Sequence, residues 1–208
     1  MCLREALHAV PQDCDCESWK PVKITKCQDH CCRETNFLVE NIADLIHSSI
    51  RTNSTTIKTG RKALGQFSEH DRILSDNSLS GAEKAELLCV PTRRGIRKFL
   101  SHFVKICELK PEILVSAMII LNKFLRQSSI ILLPDTWRIL FILAVRITKK
   151  VEGHSLLSSF DLSYVYPLFR PREFIKMECR FLKTVKYQLH ISQEHFRSHC
   201  LFLLNEDR

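Results

Sequence analysis

An acid stands where the pattern asks for an apolar side chain. Phe174, Ile175, Phe181, Leu182 and Val185 recur three or four residues apart, as one stripe of an amphipathic helix does, and Glu178 lies in the middle of that stripe. A carboxylate taken out of water must be paired, or must face something other than its own core. Lys150 occupies a comparable place at the edge of an earlier apolar helix, after Leu143 and Ile147 and before Val151. A lysine at that end is also favoured by the negative pole of the helix and can reach water on its flexible stem. Held near each other on packed helices, Lys150 and Glu178 can pair. They can equally offer a donor and an acceptor to a partner's backbone at the centre of an apolar patch.

Other residue types with chemical potential are less well placed. Cys14, Cys16, Cys27, His30, Cys31 and Cys32 are zinc-ligand types, but C-x-C and the run His30-Cys31-Cys32 do not give the paired C-x₂₋₄-C knuckles of structural sites. Reduced thiols are the expected state, with acylation at Cys2 or at Cys31 and Cys32 the route by which the chain would meet a membrane. The nine histidines read as scattered, without an i, i+4 metal pair, and His190 and His195 as decorating helix ends. There is no G-x-S-x-G and no H-E-x-x-H, and five glycines leave little from which to build a phosphate cradle. The expectation is a protein without cofactor, small-molecule substrate or catalytic residues.

The elements that must position these residues are helical. Of 208 residues 45% are hydrophobic, and only five are glycine and seven proline, which favours long helices over a strand-rich fold. The formal charge of +8 is uneven: 20 Lys and Arg oppose 10 Asp and Glu from Thr92 to Arg208. Such an excess suits nucleic acid, an anionic membrane, an acidic protein or simply a solvated face. Met1–Val10 carries Arg4, Glu5 and His8 where a secretion signal needs apolar residues, and no apolar run approaches the length of a membrane span. An intracellular protein, cytoplasmic or nuclear, is expected.

Residues 1–35 read as a poorly ordered, cysteine-containing arm, and 36–50 as an accessory amphipathic helix capped by Asn36. Residues 51–90 read as a Ser/Thr-rich linker with room for a short helix, and 91–208 as the helical domain. Five helices are predicted there, over about Arg93–Leu109, Pro111–Leu125, Pro134–Val151, Ser159–Leu168 and Pro171–Gln188. Prolines stand at three of the starts and Gly153 follows the third helix, which is apolar nearly all round as a central buried helix is.

With the helices in place, the sequence resembles a cyclin box. Trp137 to Val151 looks like that family's W-x-x-x-hydrophobic run ending in A-x-K-hydrophobic. Ile175-Lys-Met-Glu178-Cys-Arg-Phe181-Leu182 looks like its hydrophobic-x-x-x-E-x-x-hydrophobic-L element. The resemblance covers Arg93 to about Leu189 and points to the single-box branches, cyclin-Y-like and yeast phosphate-pathway cyclins. It implies an all-α, five-helix cyclin-box bundle with an extra preceding helix at 36–50, and a regulatory subunit for a cyclin-dependent protein kinase. It also implies that Lys150 and Glu178, with Lys149, Phe181 and Leu182, contact the kinase near its movable helix; either Lys149 or Lys150 can bear the lysine's role. Two other uses of these residues stay open: a transcription-factor-IIB-like module binding DNA through basic helices, which the missing zinc ribbon disfavours, and a non-cyclin helical adaptor.

Overall fold

The computed structural model describes residues 28–56, 67–128, 130–153, 162 and 165–204. Among these there are eight helices and no strand: α1 (Gln28–Thr56), α2 (His70–Ser75), α3 (Gly81–Leu88), α4 (Arg93–Ile106), α5 (Pro111–Gln127), α6 (Trp137–Val151), α7 (Pro171–Thr184) and α8 (Gln193–Leu204).

The bundle is built around α5 and α6. Ile113–Leu121 is buried throughout, as is Trp137–Thr148, including its two arginines. Both helices therefore bury every side of their middle turns, which only a central position allows. Pro111 opens α5 with its missing donor at a position that has no intrahelical acceptor, and Glu112 meets the positive end of that helix. Beyond α6 the chain turns at Gly153 with φ 68°, a conformation glycine adopts without a Cβ penalty.

α4 is amphipathic in the strict sense. Ile96, Leu100, Phe103 and Val104 face the core, while Thr92 accepts a hydrogen bond from Gly95 N at 3.0 Å to start the helix. It lies along α1, tied by Arg97 to Glu40 at 2.7 Å and by Arg93 to Asp44. α7 closes the bundle through Phe174, Met177 and Phe181. Phe181 stacks on Phe124 with ring centroids 4.1 Å apart, and Phe67 meets Phe124 edge-on.

Three expectations need correction. α1 is twice the predicted length, so Asn36 is interior to the helix and caps nothing; Leu38, Ile42, Ile46 and Ile50 keep its face buried through the middle. The stretch 67–90 is part of the fold rather than a linker. Phe67, Glu69 and Ile73 are buried, and Ser80 with Glu83 forms a reciprocal capping box that starts α3. The last helix, α8, was not foreseen; Cys200 and Leu203 bury it, with Leu203 O accepting from Asn41 on α1 at 2.6 Å. The helix predicted at 159–168 falls largely outside the described residues, as does most of the arm at 1–35.

Candidate functional site

The two residues singled out by the sequence meet. On α6, Arg146 and Lys150 are one turn apart and face the same side; on α7, Glu178 receives both. Arg146 Nε donates to Glu178 Oε2 at 2.7 Å and Lys150 Nζ donates to Oε1. Burial grades outward along this line. Arg146 and Glu178 side chains are each 6% exposed, that of Lys150 36%. The carboxylate thus binds a buried guanidinium with one oxygen and steers a half-exposed ammonium with the other.

This differs from a glutamate that itself faces a partner. Glu178 is an internal acid, and the accessible charge is Lys150. Val151, next to Lys150 in sequence, and Ile175, one turn before Glu178, are each 49% exposed, and Cys179 is exposed as well. Lys149 points the other way, donating to Cys107 O at 3.2 Å at the end of α4, beside exposed Ile106. Phe181, which the resemblance would set against a kinase, is wholly buried against Phe124; Leu182 is half-buried at the edge. The periodicity had placed Phe181 rightly on the stripe, but a stripe cannot say which of its members end beneath the surface.

Two further acid clusters, one buried and one half-buried, were not read from the sequence. Glu69 accepts from Arg138 Nη1 at 3.2 Å and from Ile139 N at 3.3 Å. Complete burial raises its pKa to about 7 against those favourable partners. With Glu69 N donating to Asp135 O and Ser68 Oγ to Asp135 Oδ2 at 2.6 Å, this acid fastens the chain before α2 to the start of α6. At the opposite end of α6, Glu152 lies near Glu112 and Ser116. Burial and the neighbouring Glu112 charge raise its pKa to about 7, and burial raises that of Glu112 as well. Burial, then Glu112, pushes the Cys200 thiol up to about 12.

No group of three or more metal-ligand side chains occurs among the described residues. Cys14, Cys16 and Cys27 lie outside them, and for His30, Cys31 and Cys32 only the helical backbone is described. One reading of the histidines is revised: His195 and His199 are i, i+4 on α8, with ring centroids 6.4 Å apart. No helix of the described residues is long and apolar enough to cross a membrane.

What the geometry offers is a surface, with one oriented ammonium held between α6 and α7 and an exposed apolar side chain on each helix, Val151 and Ile175. No curated protein and no solved structure matches the chain. The family described as the cyclin N-terminal domain matches residues 66–190, well over half of the sequence and a span that opens one residue before buried Phe67 and contains α2 to α7. Cyclins are regulatory proteins rather than enzymes, and by this match, over the helices that carry Lys150 and Glu178, the chain belongs to the cyclin family.

Proposed function

We propose that the chain is the regulatory subunit of a cyclin-dependent protein kinase, and that the face around Lys150, Val151 and Ile175 packs on the kinase's movable αC helix. The observation that carries this reading is the fixed ammonium. Glu178, itself locked by Arg146, holds the part-exposed Lys150 Nζ, and each of the two helices carries an exposed apolar side chain close in sequence, Val151 and Ile175. A donor already oriented loses less freedom on binding, and apolar neighbours that exclude water strengthen its bond to a carbonyl or carboxylate of the partner.

In a kinase the β3 lysine and the αC glutamate must pair to hold the ATP phosphates. A cyclin that binds the paired arrangement more tightly than the unpaired one shifts the population toward it and performs no chemistry itself. Pull-down of the full chain from cell extract, with identification of any co-purifying kinase, tests the reading. Recovery of a cyclin-dependent kinase whose activity rises on adding the chain supports it. Its absence, with other helical partners recovered instead, favours an adaptor.

A further inference from the structure

α4 carries a second surface, on the side away from its buried stripe. The helix has five Lys and Arg and no acid. Arg93 and Arg97 are taken up by Asp44 and Glu40 of α1. Arg94, Lys98, His102 and Lys105 are exposed, and no ion pair joins them to another described residue. Their spacing of four, four and three residues lines them on one face, over about 16 Å of helix.

The shape of this array selects among polyanions. It is one helix wide, and on the α1 side it is bounded by the Glu40 and Asp44 carboxylates, which disfavour a broad polyanion there. Among the described residues no exposed phenylalanine, tyrosine or tryptophan lies on this face of α4 for a single strand to stack on: Phe99 is half-buried and packs edge-on to Trp137. Of its apolar residues, Ile96, Leu100, Phe103 and Val104 are turned into the core and Ile106 alone, in the last turn, is well exposed, so this face offers little apolar surface to a bilayer. A narrow, linear anion remains. Along a helix i and i+4 stand about 6 Å apart, and alternate side chains of an extended strand about 6.7 Å apart, so Arg94, Lys98 and His102 keep step with such a strand and Lys105, about 4.5 Å further on, reaches it with its long side chain.

We infer that the exposed face of α4 docks an extended acidic polypeptide segment of a partner protein, with carboxylates at alternate positions engaging Arg94, Lys98 and Lys105. The surface is independent of the kinase reading. Lys105 adjoins Ile106, which stands beside Lys149, so the two faces meet only at that corner and a partner on α4 leaves Lys150 free.

The test is fluorescence anisotropy of the full-length protein with a labelled synthetic peptide carrying glutamates at alternate positions between serines. A peptide of the same composition with its glutamates in one block is the comparison. The alternating peptide binds more tightly, and binding weakens as salt is raised. Replacing Arg94, Lys98 and Lys105 by glutamine weakens it about tenfold or more, whereas the same change at Arg172, Lys183 and Lys186 leaves it within about twofold. Circular dichroism checks that both variants fold; the single charge reversal Lys98→Glu, at an exposed position, weakens binding if the triple variant does not fold. Equal losses in the two triple variants, no preference for alternation, or tighter and Arg94/Lys98/Lys105-dependent binding of duplex DNA or phosphatidylserine vesicles would overturn the proposal.

Discussion

Arg146 and Glu178 form an ion pair at 2.7 Å in which each side chain is 94% shielded from water. Neither could be buried alone. Removing Glu178 leaves a guanidinium in the core with its best acceptor gone, which costs about 3–5 kcal/mol. Glu178→Ala is therefore expected to lower stability in urea unfolding by about that amount, with Glu178→Gln lying between it and the parent. A second variant separates structure from binding. Arg146→Met with Glu178→Leu replaces the pair by apolar volume and is expected to recover most of the lost stability. It also removes the acceptor that orients Lys150, so its kinase affinity should stay low. If the double variant binds the kinase like the parent, Glu178 has no positioning role.

Lys150 itself is a different case. Its side chain is 36% exposed and its bond to Glu178 is partly solvated, so Lys150→Ala should change stability by less than about 1 kcal/mol. If the face between α6 and α7 meets a kinase, the same substitution weakens binding by about fivefold or more. Val151→Glu and Ile175→Glu should do at least as much, each by putting a carboxylate in place of an exposed apolar side chain. Titration calorimetry against the recovered kinase reads all three. Unchanged affinity in all three would move the kinase interface elsewhere on the molecule.

Much of this arrangement was legible because helical periodicity reports faces. The apolar runs at Ile113–Leu121 and Ile139–Val145 marked the two central helices, and the polar exceptions at 150 and 178 marked the place where they meet α7. Periodicity does not report depth. Glu178 proved internal and Phe181 fully buried, and neither fact follows from a stripe. Arg146 was passed over because a lone arginine inside an apolar run looks like the end of that run rather than the partner of an acid 32 residues on. The signal for α3 was present as Ser80-x-x-Glu83 but hidden in a Ser/Thr-rich stretch. α8 was missed because its apolar residues crowd into its last turns, where Leu201 and Phe202 are exposed and only Cys200 and Leu203 are buried, so no clean stripe stands out.

The pair Glu112 and Glu152 predicts a pH dependence. The Glu152 pKa rises from 4.5 in the unfolded chain to about 7 in the fold, so between those values the folded state binds more protons than the unfolded one. Stability from this group is then full below about 4.5 and is lost as pH rises through about 7. Glu112, whose pKa is also raised, acts in the same sense. Glu152→Gln keeps a hydrogen-bonding side chain beside Ser116 without the charge. Plotted against pH, the difference in urea midpoint between Glu152→Gln and the parent should grow in the variant's favour from about pH 5 to pH 8. A flat difference would mean that Glu152 is well solvated.

Phe181 gives the sharpest contrast between core and surface. It is wholly buried, stacked on Phe124, which in turn meets Phe67 edge-on. Phe181→Ala opens a cavity between α5 and α7 that their packed backbones can close only in part, at a cost of about 3–5 kcal/mol. The loss should appear as a lower unfolding midpoint. Phe181→Leu fills much of the volume and should cost less. In the folded fraction of Phe181→Leu, kinase affinity should match the parent, because the side chain has no surface with which to touch a partner. A variant that unfolds like the parent yet binds poorly would place Phe181 at the interface and require α7 to turn outward when the partner arrives.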